Sequence, residues 1–320
     1  MYMLKYILKR IGLMIMSFSI IFVICFVLIR LLPINTQVDF GKDQAMVNAE
    51  REARGYDKPI LEQLGIYLKR IFVEGDFGTV TEVSEFRGRK IVDVFKEMLP
   101  PTILLNIYSS LFAVPLGIAL GIFAALKKNK WQDHLISTMV MVFISVPSFV
   151  YASLLLYIVC FKWNLLPKIM MSGYDYFTWD MFKSMIPAVL SLSFGSIAGY
   201  ARGTRAELTE VLTSEFMLLA RTKGLTKSQA TVRHALRNSM VPIFPSIIGE
   251  FISVLSGSLV IERIFAVPGV GKLYLATINS TDYDFFMMLS AFYLLVSLAA
   301  GLVIDLSYGI IDPRIRMGAR

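Results

Sequence analysis

Residues 102–126 read TILLNIYSSLFAVPLGIALGIFAAL, 25 residues without a charged side chain. A bilayer core of about 30 Å takes roughly 20 apolar helical residues to cross. The run is long enough, and it has company. Ile11–Ile29, Leu135–Phe161 and Ser184–Ala201 are equally free of charge, Ser239–Ile261 holds only Glu250, and Phe285–Ile304 stops just before Asp305. None alternates apolar and polar residues as a barrel strand would, so all six are expected to be helices. Across 320 residues, 56% hydrophobic against 18% charged excludes an ordinary soluble enzyme and a disordered chain. The fold class that follows is an all-α, polytopic membrane protein with six transmembrane helices. The first run is preceded by Lys5, Lys9 and Arg10 but is too long for a signal peptide and lacks a small-residue cleavage site, so it reads as a retained span.

Six crossings put both termini on one side. That side then carries 16 Lys and Arg against 5 acids, whereas the other carries 15 against 17. The basic excess marks the cytoplasmic face, so the N- and C-termini are expected in the cytoplasm. The formal net charge of +8 is explained by this sorting, and nucleic acid is not needed as a partner.

The chain divides on this reading into residues 1–32 (cytoplasmic N-terminus and first span), 33–99 (an extracytoplasmic segment) and 100–320 (the five remaining spans). In the outer segment Ile60, Leu61, Leu64, Tyr67, Leu68, Ile71 and Phe72 recur at helical spacing between the turns Asp57-Lys-Pro59 and Gly75-Asp-Phe-Gly78. It reads as an amphipathic cap, either a lid or a docking surface. The cytoplasmic loop 202–238 is too polar to span. Acids Glu207, Glu210 and Glu215 lead and bases Arg221, Lys223 and Lys227 trail, as a helix dipole favours. Thr213 is a candidate cap for a helix starting at Ser214 or Glu215, Gly224 a C′ residue, and Thr226-Lys-Ser-Gln229 a capping box opening a second helix. The product is a two-helix knob projecting into the cytoplasm.

Motifs for self-contained chemistry are missing. Gly269-Val-Gly-Lys272 lacks the earlier glycine and following hydroxyl of a phosphate loop. Cys25 and Cys160 fall within spans, and His134 and His234 are far apart, so neither a disulfide nor a metal site is expected. Small residues recur every fourth position at Ala113, Gly117, Gly121 and Ala125, at Ser191, Gly195, Gly199 and Gly203, and at Gly249, Ser253 and Gly257, a pattern that lets helix backbones approach in lipid. Pro115 and Pro147 are candidate kinks. Glu250, in the middle of its run, should face a water-filled path or a partner, since an acid facing lipid costs at least about 2.5 kcal/mol. Arg30, near an outer end, is expected to snorkel.

The motifs also carry a resemblance. Arg202-Gly-Thr-Arg205, Glu215-Phe-Met-Leu-Leu-Ala220-Arg-Thr-Lys-Gly224-Leu and Arg233-His-Ala-Leu-Arg-Asn238 resemble the coupling loop of B-type permease subunits of oligopeptide and dipeptide ABC importers. Tyr56-Asp-Lys-Pro59, Gly75-Asp-Phe-Gly78, Glu262-Arg-Ile-Phe-Ala-Val-Pro-Gly269-Val-Gly271 and Asp305-Leu-Ser-Tyr-Gly-Ile-Ile-Asp-Pro-Arg-Ile-Arg316 match as well. Within the loop Ala220 and Gly224 match the EAA motif of importer permeases, while Leu218 and Leu219 replace its acid and first alanine. The resemblance implies a type I importer permease fold and a prokaryotic cell-membrane location. It implies a non-catalytic subunit forming half of a peptide pathway by alternating access. Implied partners are a homologous C-type permease, two ATP-binding subunits and an extracytoplasmic substrate-binding protein, besides membrane lipid. ATP and magnesium would bind the ATPase subunits and no cofactor this chain. Arg205, Glu215, Ala220, Lys223, Gly224, Leu225 and Arg233 would contact or transmit to the ATPase, Glu250 would line the pathway, and Glu262 and Gly269 are outer-gate or partner candidates. Nickel, glutathione or another small solute are alternative cargoes. The alternative class is a self-sufficient secondary transporter or channel with Glu250 as its ion or proton site.

Overall fold

The computed structural model describes residues 2–32, 52, 55–171, 173 and 175–311, the side chains of 2–4 and 308–311 excepted. The closing motif beyond Ile311, its arginines and most of 33–54 lie outside the described residues. Those described are mostly helical, with one isolated antiparallel bridge between Thr79 and Lys90. In chain order the helices are α1 (Tyr2–Leu31), α2 (Ile60–Phe72), α3 (Ile91–Leu126), α4 (Trp131–Ser145), α5 (Ser148–Leu155), α6 (Trp179–Leu212) and α7 (Glu215–Thr222). They continue with α8 (Lys227–Ala230), α9 (Leu236–Ser239), α10 (Ile243–Ser253), α11 (Leu259–Ile264), α12 (Val270–Ser280) and α13 (Tyr283–Ile311). Four helices are long and apolar enough to cross a membrane, and two bent pairs raise the number to six if each is one span.

Those two pairs correct the straight spans expected at 135–161 and 239–261. The first bends by 101° between α4 and α5, where Val146 is extended (ψ 125°) ahead of Pro147. Proline disfavours the helical region for the residue before it, so the helix stops there. The second bends by 53°, with Pro242 opening α10. Its apolar run then ends early: Gly257 takes φ +63°, a left-handed conformation that closes the helix and lets the short α11 start afresh. Glu250 therefore sits in the last turn of α10, not at the middle of a 23-residue span.

The chain forms two compact units, Met1–Leu99 with Lys272–Leu298, and Pro100–Gly271 with Ala299–Arg320. The outer segment is thus grouped with the first helix and the stretch Lys272–Leu298. In this first unit Phe22, Phe26, Ile29, Tyr67, Tyr283 and Met287 form a buried cluster, to which α2 contributes Ile60, Leu64, Leu68 and Ile71 beside Tyr67. Leu61 and Phe72, expected on that same face, are 77% and 80% exposed. Burial, aided by the Asp284 carboxylate, pushes the Tyr67 phenol well above its usual range.

Two acids pin the cap of this unit. Asp284, buried in the first turn of α13, receives Arg70 at 2.5 Å and Arg30 at 3.4 Å. Asp282, just ahead, accepts the backbone N–H groups of Thr81 (2.7 Å) and Glu82 (2.9 Å). Arg30 does not snorkel. Its side chain is 5% exposed and its guanidinium lies 4.2 Å from the Tyr56 ring centre, because a buried counter-charge and aromatic faces replace water. The Gly75-Asp-Phe-Gly78 turn serves the same clamp. Asp76 accepts from the Gly78 N–H at 2.9 Å, and Gly78, at φ +89°, passes close to Arg70 and Asp284.

In the second unit α6 is the axis, packing against α4, α5 and α3. Leu105, Met185, Ile261 and Phe265 are fully buried in one cluster, and Ala198 and Ala201 in another that Val140, 9% exposed, closes at its edge. Gly117 and Gly121 of α3 meet α6 so closely that an added methyl would lie under 3.0 Å from the Ile197 and Ala201 carbonyls. That stripe is monomer core. Gly199 and Gly203 on α6 face open space instead.

Removing one partner of a buried ion pair typically costs about 3–5 kcal/mol, because the other charge is stranded. Asp284→Ala should therefore lower the thermal midpoint of the detergent-solubilised chain and open residues 60–90 to protease. A wild-type melting curve and cleavage pattern would remove Asp284 as the clamp.

Candidate functional site

At 1.5 Å per residue the 34 residues of α6 extend about 51 Å, well beyond the thickness of a bilayer core. Its overhanging end carries the knob. There Met217, Ala220, Ala230 and Ala235 bury their side chains against Leu208 of α6 and Ala125 of α3. Small residues at Ala220 and Ala230 allow the short helices to sit flush on that platform.

Helix α7 ends in both hydrogen bonds of a Schellman turn. The Gly224 N–H donates to the Arg221 carbonyl at 3.0 Å and the Leu225 N–H to the Ala220 carbonyl at 3.4 Å, with Lys223 as C-cap and Gly224 at φ +91°. Four nominated coupling residues, Ala220, Lys223, Gly224 and Leu225, are thus one structural device. The next turn is a complete capping box: the Thr226 hydroxyl accepts from the Gln229 N–H (3.3 Å) and the Gln229 side chain from the Thr226 N–H (3.1 Å). The proposed Thr213 cap is not formed. Its hydroxyl donates backwards to the carbonyls of Thr209 (3.1 Å) and Glu210 (3.0 Å), and Ser214, the actual N-cap position, donates to Val211 (2.7 Å). The Glu210 and Val211 carbonyls also accept the Thr213 and Ser214 N–H groups (3.2 and 3.1 Å), so both residues close α6 rather than open α7.

The knob presents Phe216, Leu218, Leu219 and Val232 to the outside, the last three between 54% and 64% exposed, framed by exposed Glu215, Lys223 and Arg233. His234 meets the Phe216 ring edge-on at 5.6 Å. A rigid apolar patch with a charged rim is an association surface. Arg205 lies at its root, not on it. Its guanidinium forks onto Asp133 (Nε–Oδ1 2.5 Å, Nη2–Oδ2 2.8 Å), tying α6 to the first turn of α4. Asp133, 1% exposed, also accepts the Asn129 N–H at 2.9 Å. The sequence reading missed Asp133; an acid in the first turn of an apolar helix was its only signal.

Glu250 lines a cavity of about 490 Å³ between α6 and α10, with Glu207, Tyr200, Gly199 and Gly203. Its carboxyl accepts from the Ser196 hydroxyl at 2.8 Å, and the Tyr200 hydroxyl donates to the Ser246 carbonyl at 3.1 Å. Among the described residues no Lys or Arg lines this space. From sequence Glu207 was read only as a leading acid of the cytoplasmic loop, and Ser196 was not singled out.

Glu262 and Gly269 lie together. The Glu262 carboxyl is fully buried, takes the Thr102 hydroxyl at 3.0 Å, and Thr102 in turn accepts the Val270 N–H at 2.9 Å. A methyl added at Gly257, Gly269 or Gly271 would fall under 3.0 Å from that carboxyl. Bare backbone at three glycines cages one acid, which accounts for the glycines of the Glu262–Gly271 motif. Among the described residues no group of three or more His, Cys, Asp or Glu could hold a metal ion.

The profile of the family described as binding-protein-dependent transport system inner membrane component matches residues 117–317. The chain is similar to dipeptide transport system permease protein DppB of Lactococcus lactis subsp. cremoris (strain MG1363), 32% identical over 98% of this chain and 100% of the relative. It is similar to DppB of Bacillus subtilis (strain 168), at 31% over 98% and 99%. Glutathione transport system permease protein GsiC of Escherichia coli (strain K12) is 32% identical, again over 98% and 99%. The crystal structure of an amino acid ABC transporter with histidines superposes with a TM-score of 0.51 at 19% identity, over 68% of this chain and 94% of that one, a likeness of fold.

Forcing a methyl into the acid's cage costs on the order of 1–3 kcal/mol. Gly269→Ala should depress the melting midpoint, whereas Gly65→Ala, in open space on α2, should not. Equal midpoints for the two variants would refute the cage.

Proposed function

This chain belongs to the family of binding-protein-dependent transport system inner membrane components, multi-pass proteins of the bacterial inner membrane, and we propose that it is the subunit forming half of the pathway by which an ATP-driven importer carries short peptides. The family's permeases work with ATPase and substrate-binding partners. For this chain the proposed set is a homologous permease in a heterodimer, two ATP-binding subunits that bind ATP and magnesium, and an extracytoplasmic binding protein. Counting each bent pair as one span gives six, which would put both termini on one side, read here as the cytoplasm. The basic excess on the side of the knob supports that orientation. Dipeptide and glutathione permeases among the relatives support a short peptide or peptide-like cargo.

The observation that carries the coupling role is the knob. A helix closed by a Schellman turn and followed by a capping box moves as a body. Its exposed Leu218 and Leu219 offer an ATPase cleft an apolar grip, and the Arg205–Asp133 fork passes a push on the knob to α4 as well as α6. When the ATPase subunits close, the displacement reaches the helices bordering the Glu250 cavity, which we assign to the pathway. Glu262 and Gly269 act in the permease as its buried structural cage.

Two tests follow. Gly224→Val places a β-branched residue at φ +91°, where it is strained by roughly 1–2 kcal/mol or more although nothing lies within 4 Å. In a normally assembled complex it should cut peptide uptake at least about tenfold per ATP hydrolysed; full uptake would end the coupling assignment. Glu250→Gln should alter uptake rate or preference between cationic and anionic peptides. An unchanged profile would take the cavity out of the pathway, and uptake by this chain without any ATPase would point to the self-sufficient transporter instead.

A further inference from the structure

A second cavity, of about 380 Å³, opens between α4 and α6. Ile136, Val140, Met141 and Ile144 furnish an apolar wall, spanning nine residues or about 12 Å of helix. Arg202 and Arg205 close one end; three apart on a helix, they share a face. Arg205 is neutralised by the Asp133 fork, whereas Arg202 is exposed and makes no ion pair with any described residue. Lys127, Lys128 and Lys130 precede α4 at this same end, and Trp131, its first residue, is 70% exposed, as suits a ring at headgroup level. With Ser137 and Ser145 the groove is largely apolar along its length and cationic at its mouth, and in the orientation proposed above that mouth lies at the cytoplasmic membrane surface.

From this geometry we propose that the groove binds one anionic phospholipid, its phosphate on Arg202 and an acyl chain along Val140 and Ile144. A zwitterionic lipid fits the wall equally but gains less at the mouth, where a basic side chain near an anionic headgroup favours it about fivefold. The seated lipid bridges α4 and α6 beside the Arg205–Asp133 fork, two turns before α6 reaches the knob. Membrane charge thereby stiffens the lever carrying the coupling helices. The proposal rests on the membrane orientation given above, but its test reads lipid binding and needs neither transport nor an ATPase.

The full chain, with its three tryptophans changed to Phe and Met141→Trp as reporter, is reconstituted in phosphatidylcholine containing increasing brominated phosphatidylglycerol. Quenching should report about fivefold preference for the anionic lipid, falling to near one in Arg202→Gln and persisting in Lys168→Gln. Preference near one in the parent, or no loss in Arg202→Gln, overturns the proposal. Reporter fluorescence blind to every brominated lipid overturns it too, since a protein surface then covers the groove. Competition by millimolar inorganic phosphate would reveal a simple anion site and likewise sink it. Should the reporter chain misfold, native mass spectrometry of the unaltered chain must show one retained phosphatidylglycerol that Arg202→Gln loses; equal retention is disproof.

Discussion

In hydrocarbon a backbone N–H without an acceptor costs several kcal/mol, so a membrane chain can leave its helices only where the freed groups are met. The breaks here obey that constraint. After α4 the Val146 N–H still reaches the Val142 carbonyl at 3.0 Å, and the next residue is Pro147, which has no N–H to satisfy. Before α10 Pro242 does the same while the Ile243 N–H donates to Met240 at 3.1 Å. At Gly257 the chain reverses into α11, whose first turn is covered by the Ser258 hydroxyl accepting from Ile261. At each of these breaks a proline, a capping hydroxyl or a short reverse bond reduces the number of freed N–H groups.

Once the backbone is satisfied, buried acids fix which helices meet. Asp133, Glu262 and Asp284 each sit in the first turn of a helix, where the dipole favours a negative charge, and Asp282 lies just ahead of one. Each takes its donors from remote sequence: Arg205, Thr102, Arg30 with Arg70, and the Thr81–Glu82 backbone. A directional contact of this kind selects one register among the many that apolar surfaces allow, which dispersion forces between lipid-like side chains do poorly.

The features legible in sequence were those with a local physical signature. Charge-free runs located the apolar helices, and the knob was readable because Gly224 and Thr226-Lys-Ser-Gln229 encode turns within a few residues. Bends and clamps were not. Pro147 announced a weak point but not 101°, since the angle is set by α6 packing across it. Arg30 looked like a snorkelling residue because its counter-charge is 254 positions away, and the same distance hid Asp284. Asp133 went unnoticed because its partner Arg205 is 72 positions away, and the Glu262 cage needed Thr102 and three glycines brought together in space. Of the seven apolar positions expected on the inner face of α2, Leu61 and Phe72 point outward because the periodicity is wider than the surface α2 covers.

The sharp turn between α4 and α5 bears on how the protein is made. Residues 135–161 form an uncharged stretch of 27, which an insertion machinery sorting by hydropathy receives as one straight span. What holds the turn is an aromatic trio: Phe143 stacks on Phe194 at 4.9 Å, and Tyr151 meets Phe194 edge-on at 5.5 Å. Phe194 is synthesised some forty residues after Tyr151, so no ring is there to stabilise the turn when the segment first enters the bilayer. The contacts that hold the turn therefore exist only once α6 is in place, which makes the bend a tertiary feature and not a property of the segment that carries it.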